Sequence, residues 1–338
     1  MRRSVEDAER PRHSLREIVD RYGPRTPLLI GLAGLAMATL LFATGGPYWL
    51  LLVARLAQGI AGGMSWVAAL SLIAATTPME KRGQSMGIAL STVTLGVLIG
   101  PPLAGFLVEH FGTASPFLFA TAVTLADGIL RIVLVKDSPR VTDDIAGPLS
   151  VLRVPGSLSI VLAVAVGAAV LSAIEPVLPV HLGASALTVG LLFGLAALAS
   201  IIANPIVGRL VATASPRLLI GTGVVAVAAA LTVTGFATEL WQTCIGMVLL
   251  GFSSALLLAP ATTLISEQGH KSKPQTLGGS FALYNLAYAA GLAGGPLLTG
   301  ITTGLWGFTA AMVITAATLA AIGGASLARL PGGTHQAK

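Results

Sequence analysis

Long apolar runs separated by short polar connections organise this chain from residue 27 to residue 328. An apolar stretch of about 20 residues is long enough to cross a bilayer as a helix. Ten such stretches occur: Pro27–Ala43, Tyr48–Ala75, Met86–Val108, Pro116–Val135, Leu158–Val180, Leu187–Val207, Leu218–Gly235, Leu240–Ile265, Leu277–Thr299 and Trp306–Ala328. They are rich in Leu, Ala, Val and Gly and lack the two-residue alternation of a barrel strand. Each therefore predicts a helix, whose backbone groups satisfy one another without water. Tyr48–Ala75 and Leu240–Ile265 are the longest and predict tilted helices or helices that begin at the interface. The fold class that follows is an all-α membrane protein.

Composition narrows the function classes. Of 338 residues, 54% are hydrophobic and 10% charged, against about 25% charged in an ordinary soluble domain. Mean hydropathy is +0.85. A soluble globule of this length needs a polar shell that these residues cannot supply, which excludes a soluble enzyme. The net charge of +6 does not point to nucleic acid, because the basic residues are spread over short loops and form no patch. Cys244 is the single cysteine, so neither an intrachain disulfide framework nor a CxxC metal site can form. The first 26 residues are polar and charged and contain no apolar core of a signal peptide.

The loops predict an orientation. Arg2, Arg3, Arg10, Arg12, Arg16, Arg21 and Arg25 precede or open the first stretch. Lys81 and Arg82, then Arg131, Lys136, Arg140 and Arg153, then Arg209 and Arg217, then Lys271 and Lys273, fall in alternate connections, and Arg329 and Lys338 close the chain. The intervening loops, around Gly45, His110, Gly183, Thr238 and Gly304, carry no Lys or Arg. Positively charged loops stay on the cytoplasmic side, so both termini are expected there.

The chain also repeats itself. Gly83, Gly96, Gly100, Pro101, Gly105 and Gly112 recur 195 residues later as Gly278, Gly291, Gly295, Pro296, Gly300 and Gly307. Upstream the offset is 192, pairing Arg25 with Arg217 and Gly59 with Gly251. Paired repeats in a membrane protein point to a transporter with its substrate site between two halves. The halves are unequal. Residues 18–137 hold four stretches and residues 156–330 hold six. A cytoplasmic linker is expected at 138–155, a polar segment at 1–17 and a cytoplasmic tail at 331–338.

Three local motifs connect the chain to a known family. They are Asp20-Arg21-Tyr22-Gly23-Pro24-Arg25, then Arg55-Leu-Ala-Gln58-Gly59, then Gly96-xxx-Gly100-Pro101-Pro102-xx-Gly105. In this order and between these stretches, the chain resembles the major facilitator superfamily from about Ile18 to Ala328. Lys81 to Leu90, Val97 to Pro102 and Ile174-Glu175-Pro176-Val177-Leu178-Pro179 are similar to the drug/proton antiporter group that contains the vesicular amine transporters. The resemblance implies a major facilitator fold with ten of the usual twelve helices, the first two missing, and alternating access. Arg16 stands where the family has a glycine, and the upstream text is unlike the family, as in a truncated chain.

Few ionisable groups lie within the stretches, and an ionisable group at bilayer depth normally faces a cavity or a partner. Glu175, followed by Pro176 and Pro179, is the first candidate for proton coupling. Burial raises a carboxyl pKa toward the range that proton exchange uses. The alternative for Glu175 is a solvated structural role at a helix end. Arg55 matches the arginine that the family links to proton coupling; an interhelical hydrogen-bond anchor is the alternative role. Asp20, Arg21, Gly23 and Arg25 resemble the family's gating motif, and Arg21 and Arg25 also serve as topology signals. Gly96, Gly100, Pro101, Pro102 and Gly105 resemble the antiporter motif, whose small residues allow close packing and a kink. Asp127 and Arg131 are spaced for a local ion pair.

Substrate-cavity candidates are Trp66, Phe281, Tyr284 and Asn285, with Phe252 and Tyr288 as further apolar lining; packing against neighbours or lipid is the alternative. Asn285 stands where the amine transporters carry an acid, and it can hold neither proton nor charge. That favours a neutral or mixed substrate. His110 and His181 lack companions for a metal, and neither metal nor cofactor is expected. No catalytic constellation such as HExxH or GxSxG is present, so no enzyme is expected. The expected partners are protons, a small organic substrate and the lipid bilayer. The expected function is proton-coupled export of small organic molecules or drugs, at the plasma membrane or a vacuolar or vesicular membrane. The alternative is a truncated, non-transporting relic or an interaction scaffold.

Overall fold

The computed structural model describes residues 25–77, 79–134, 147–211, 213–328 and 330. These form eleven helices: α1 Arg25–Ala43, α2 Tyr48–Thr76, α3 Met79–Phe111, α4 Ser115–Leu134, α5 Pro148–Leu152, α6 Ser157–Ala173, α7 Leu178–Leu182, α8 Ala186–Val211, α9 Pro216–Gly235, α10 Leu240–Lys271 and α11 Leu277–Leu327. Seven helical spans among the described residues are long and apolar enough to cross a membrane, and Leu28–Ala43 is a shorter apolar helix. The last two expected stretches lie in one 51-residue helical run, α11. It bends at Gly307, whose φ of 80° suits a residue without a Cβ. The stretch expected at Leu158–Val180 is likewise not one helix but α6 and α7 with a break between them.

The contacts group the chain into two units, residues 1–93 with 110–143, and residues 94–109 with 144–338. In the first unit α1 packs on α2 and α4. Gly31 permits the first contact: a Cβ there would meet the Ser65 backbone nitrogen at 3.0 Å and the Ala61 carbonyl oxygen at 3.1 Å. Phe42 of α1 lies 4.9 Å from Phe117 of α4, ring to ring. The α1–α2 turn places Gly45 and Gly46 at φ 67° and 115°.

The second unit is built around α6, which is apolar all round and accordingly enclosed. Within the span Ser157–Leu182, 72% of the most apolar 18-residue window is buried, against α10 and α11. Side chains of Ile160, Ile174, Ile220, Leu231, Met247, Leu250, Leu257 and Met312 are fully buried. Between apolar helices in lipid, close fit supplies the attraction, and glycines make it possible. A Cβ on Gly235 of α9 would lie 2.6 Å from Met312 Cβ, and one on Gly167 of α6 would lie 2.8 Å from Leu258. Hydroxyls inside the helices bond back to their own turn, as Thr302 does to the Leu298 carbonyl at 2.6 Å and Ser65 to the Ala61 carbonyl at 2.9 Å.

Candidate functional site

The break between α6 and α7 follows from its prolines. Pro176 has no N–H for the Ser172 carbonyl, which instead accepts from the Glu175 N–H at 3.2 Å. The Val177 N–H turns to the Ile174 carbonyl at 3.3 Å, leaving the Ala173 carbonyl without its helical donor. The Thr299 hydroxyl of α11 donates to that carbonyl at 2.5 Å. The unwound turn is thus clamped to α11 across the helix pair, and it carries Glu175 as an exposed side chain.

Nearer its start, α11 carries the remaining candidates on one face. Phe281, Tyr284, Asn285 and Tyr288 are spaced three and four residues apart, which aligns them along a helix. Phe281 and Asn285 are exposed and the two tyrosines half-buried. The tyrosine rings stack with centroids 6.2 Å apart and planes 15° from parallel. The Glu175 carboxylate is within electrostatic reach of the Tyr288 hydroxyl, while the Thr262 hydroxyl of α10 donates to its own turn at the Leu258 carbonyl, 2.7 Å away. The residue types on α11 were legible from the chain. His181 of α7 stacks on Phe308 with ring centroids 3.8 Å apart.

In the first unit, Arg55 of α2 is held locally. Its Nη1 donates to Gln58 Oε1 at 3.1 Å, Gln58 Nε2 donates to Thr39 Oγ1 at 2.9 Å, and the guanidinium carbon lies 4.2 Å from the Phe42 ring centroid. Trp66 is an exposed residue of α2. An open apolar cavity of 810 Å³ lies among α1, α2 and α4, lined by Gly34, Met37, Leu41, Ala57 and Leu118. None of the residues singled out for chemistry lines it. Asp127 and Arg131 form the expected ion pair at 2.7 Å. Asp20, Arg21 and Gly23 lie outside the described residues, and Arg25 opens α1.

The antiporter-motif residues separate into two groups. Gly105, Pro101 and Pro102 pack against α8. A Cβ on Gly105 would lie 2.9 Å from Leu187 Cα, one on Gly190 would meet the Pro101 carbonyl, and one on Gly194 would lie 2.6 Å from Pro102 Cγ. Glu109 reinforces this crossing by accepting from the Leu187 N–H at 3.2 Å. Gly96 and Gly100 are exposed, and among the described residues nothing lies within 4 Å of a Cβ at either.

Repeated glycine-packed apolar helices and a proline-broken helix end mark a multi-pass membrane protein. The model of the Major Facilitator Superfamily matches residues 17–180 and 156–336, and the chain belongs to that family. It is 30% identical over 307 residues to the chromaffin granule amine transporter of Rattus norvegicus, covering 88% of this chain and 58% of that protein. It is 27% identical to the synaptic vesicular amine transporter of Homo sapiens, covering 88% and 59%. The chain therefore spans less than two thirds of the length of these relatives, which are transporters and not enzymes. Among solved structures, a bacterial homolog of the human lysosomal transporter Spinster, inward-facing and unoccupied, superposes with a TM-score of 0.74 at 15% identity. That match covers 93% of this chain and 85% of the other and shows the shared fold.

Proposed function

We propose that this chain forms the membrane core of a proton-coupled antiporter for a small organic molecule, working by alternating access. The observation that carries the reading is Glu175, an exposed carboxylate at a proline-broken helix end, within electrostatic reach of Tyr288, which stacks on Tyr284. A carboxylate there can exchange a proton, and the tyrosine faces and hydroxyls can receive an organic group and a single polar or cationic head. The relatives named as amine transporters support amines as the first class to test. Asn285 in the middle of the same face supplies a neutral amide, which favours a neutral or singly charged solute over a multiply charged one. Arg55 takes part in coupling on this reading, and Gly105, Pro101 and Pro102 hold the helix crossing that separates the two access states. Export of drugs, a vesicular or plasma-membrane location and cytoplasmic termini belong to the same proposal. A non-transporting scaffold is the second reading, favoured by the open faces at Gly96 and Gly100.

The test is uptake into proteoliposomes under an imposed pH gradient, comparing a labelled organic amine with a neutral solute of similar size. Accumulation that collapses when the gradient is dissipated supports proton antiport. Uptake of neither solute above protein-free vesicles, or uptake indifferent to the gradient, overturns it.

A further inference from the structure

Three backbone carbonyls of α6 approach α11 in a regular series. A Cβ on Gly291 would meet the Ala165 carbonyl oxygen, one on Gly295 would lie 2.6 Å from the Ala169 carbonyl oxygen, and the Thr299 hydroxyl donates to the Ala173 carbonyl at 2.5 Å. The contacts step four residues at a time on both helices, so they lie along one face of each. Ala165 and Ala169 have helical donors four residues on, within α6, and bare glycines face them. Ala173 has lost its donor at the break, and the residue facing it is the one that carries a hydroxyl.

This hydroxyl is not a consequence of packing alone. At the repeat offset of 195 residues the counterpart of Thr299 is Ala104, a small side chain with no donor. One turn on from Thr299, Thr303 continues the same face, and among the described residues its buried hydroxyl has no hydrogen-bond partner. Thr299 also lies 3.1 Å from the Gly295 carbonyl and 3.3 Å from that of Pro296, the partners a helical threonine ordinarily takes. Its shortest contact is nevertheless the one across to α6. Thr299 is fully buried, and a buried carbonyl deprived of its donor is costly. Rewinding the turn to supply one would set the Pro176 ring against the Ser172 carbonyl. The Ala173 carbonyl therefore depends on Thr299, and Glu175 stands two residues beyond it.

We propose that Thr299 is the positioning residue of Glu175: its bond to the Ala173 carbonyl fixes the unwound turn, and with it the place where the carboxylate takes up and releases a proton. This role presupposes Glu175 as the proton-coupling group of the function proposed above. Thr299 acts through the turn and not on the proton itself. Among the elements packed around the turn, α11 carries Tyr284 and Tyr288, α7 carries His181, and α8 carries Arg209 in its last turn. Glu239 and Cys244 stand at the start of α10, whose other ionisable groups lie in its last turns. Tyr288 is within electrostatic reach of Glu175. Released from Thr299, the turn moves relative to these groups, and the pH at which Glu175 titrates moves with it.

The test compares three variants of the full chain. Thr299→Val keeps the shape and removes the donor, Thr299→Ser keeps the donor, and Thr303→Val removes a hydroxyl that has no partner. Reconstituted protein is treated with dicyclohexylcarbodiimide, which labels protonated membrane carboxyls, and labelling of the Glu175 peptide is read by mass spectrometry across a pH series, with Glu175→Gln as background. In Thr299→Val the pH of half-labelling should move by about half a unit or more, while Thr299→Ser and Thr303→Val keep the wild-type profile. Uptake driven by a pH gradient should fall further in Thr299→Val than exchange without a gradient. A wild-type labelling profile in Thr299→Val, an equal shift in Thr303→Val, a failure of Thr299→Ser to keep the profile, or equal losses of uptake and exchange overturns the proposal. Glu175 taking no label at any pH overturns it as well, since the carboxyl then never holds a proton. Thr299→Ala replaces Thr299→Val if that chain does not fold; if neither folds, Thr299 is a structural residue and the proposal is wrong. Labelling that depends on Thr299 in a protein that takes up no solute keeps the positioning role and refutes the antiporter reading instead.

Discussion

The guanidinium carbon of Arg55 lies 4.2 Å from the centre of the Phe42 ring, and the same ring meets Phe117 at 4.9 Å with the planes tilted by 46°. A charge within an apolar helix is thus held by an aromatic face on one side and by the Gln58 amide on the other. This links α2, α1 and α4 through one side chain. It also keeps the charge of Arg55 while reducing its need for water, since the ring's negative face and a carbonyl oxygen replace part of the hydration shell.

Phe42→Leu is expected to lower the unfolding free energy in detergent, with the cation–π part worth about 0.5–2 kcal/mol. In an Arg55→Gln background that part should vanish while the loss of contact with Phe117 remains. A double-mutant cycle measures the difference. Equal effects of Phe42→Leu in both backgrounds would show that the ring only packs.

Glu175→Gln keeps the size and hydrogen bonding of the side chain and removes its titration. Transport driven by a pH gradient should fall sharply, and the pH dependence of the residual activity should flatten. Exchange without a gradient should persist, because the tyrosines proposed to receive the substrate are untouched. The readout is uptake across a pH series, with exchange as the control. A mutant whose pH profile matches wild type assigns Glu175 to the helix break alone.

Repeat-related glycines should respond differently to the same substitution. Gly295→Leu forces a side chain into the Ala169 carbonyl and Ser172, and overpacking of this kind costs about 1–3 kcal/mol. Gly100→Leu, at the matching position on an exposed face, should change stability little in this chain. Thermal unfolding in detergent compares the two. Equal losses would mean that Gly100 is packed against something in the membrane.

Both termini are expected in the cytoplasm. A glycosylation tag in the Gly45 loop should be modified, and one placed after Lys136 should not. The reverse pattern refutes this topology, which rests on the one-sided distribution of Lys and Arg.

Much was readable from the chain because lipid imposes simple demands. Apolar runs of sufficient length must be helices, and loop charge carries orientation, so helix positions from Arg25 to Leu327 followed closely from pattern alone. The break after Ala173 was not read from the pattern, since prolines inside α3, α8, α10 and α11 leave those helices continuous. Six repeated positions revealed two related halves, and motif order revealed the family.

Tertiary structure decided which of these signals meet. Glycines of one repeated motif look alike in the sequence. Only packing separates Gly105, seated on α8, from Gly96 and Gly100, exposed on another face of the same helix. Nor did the chain announce that Thr299 would cap the carbonyl freed at Ala173, or that His181 would stack on Phe308. Helix formation depends on neighbours three and four residues away. These contacts join residues on different helices, and their partners are chosen by the shape of the small-residue faces once the helices have come together.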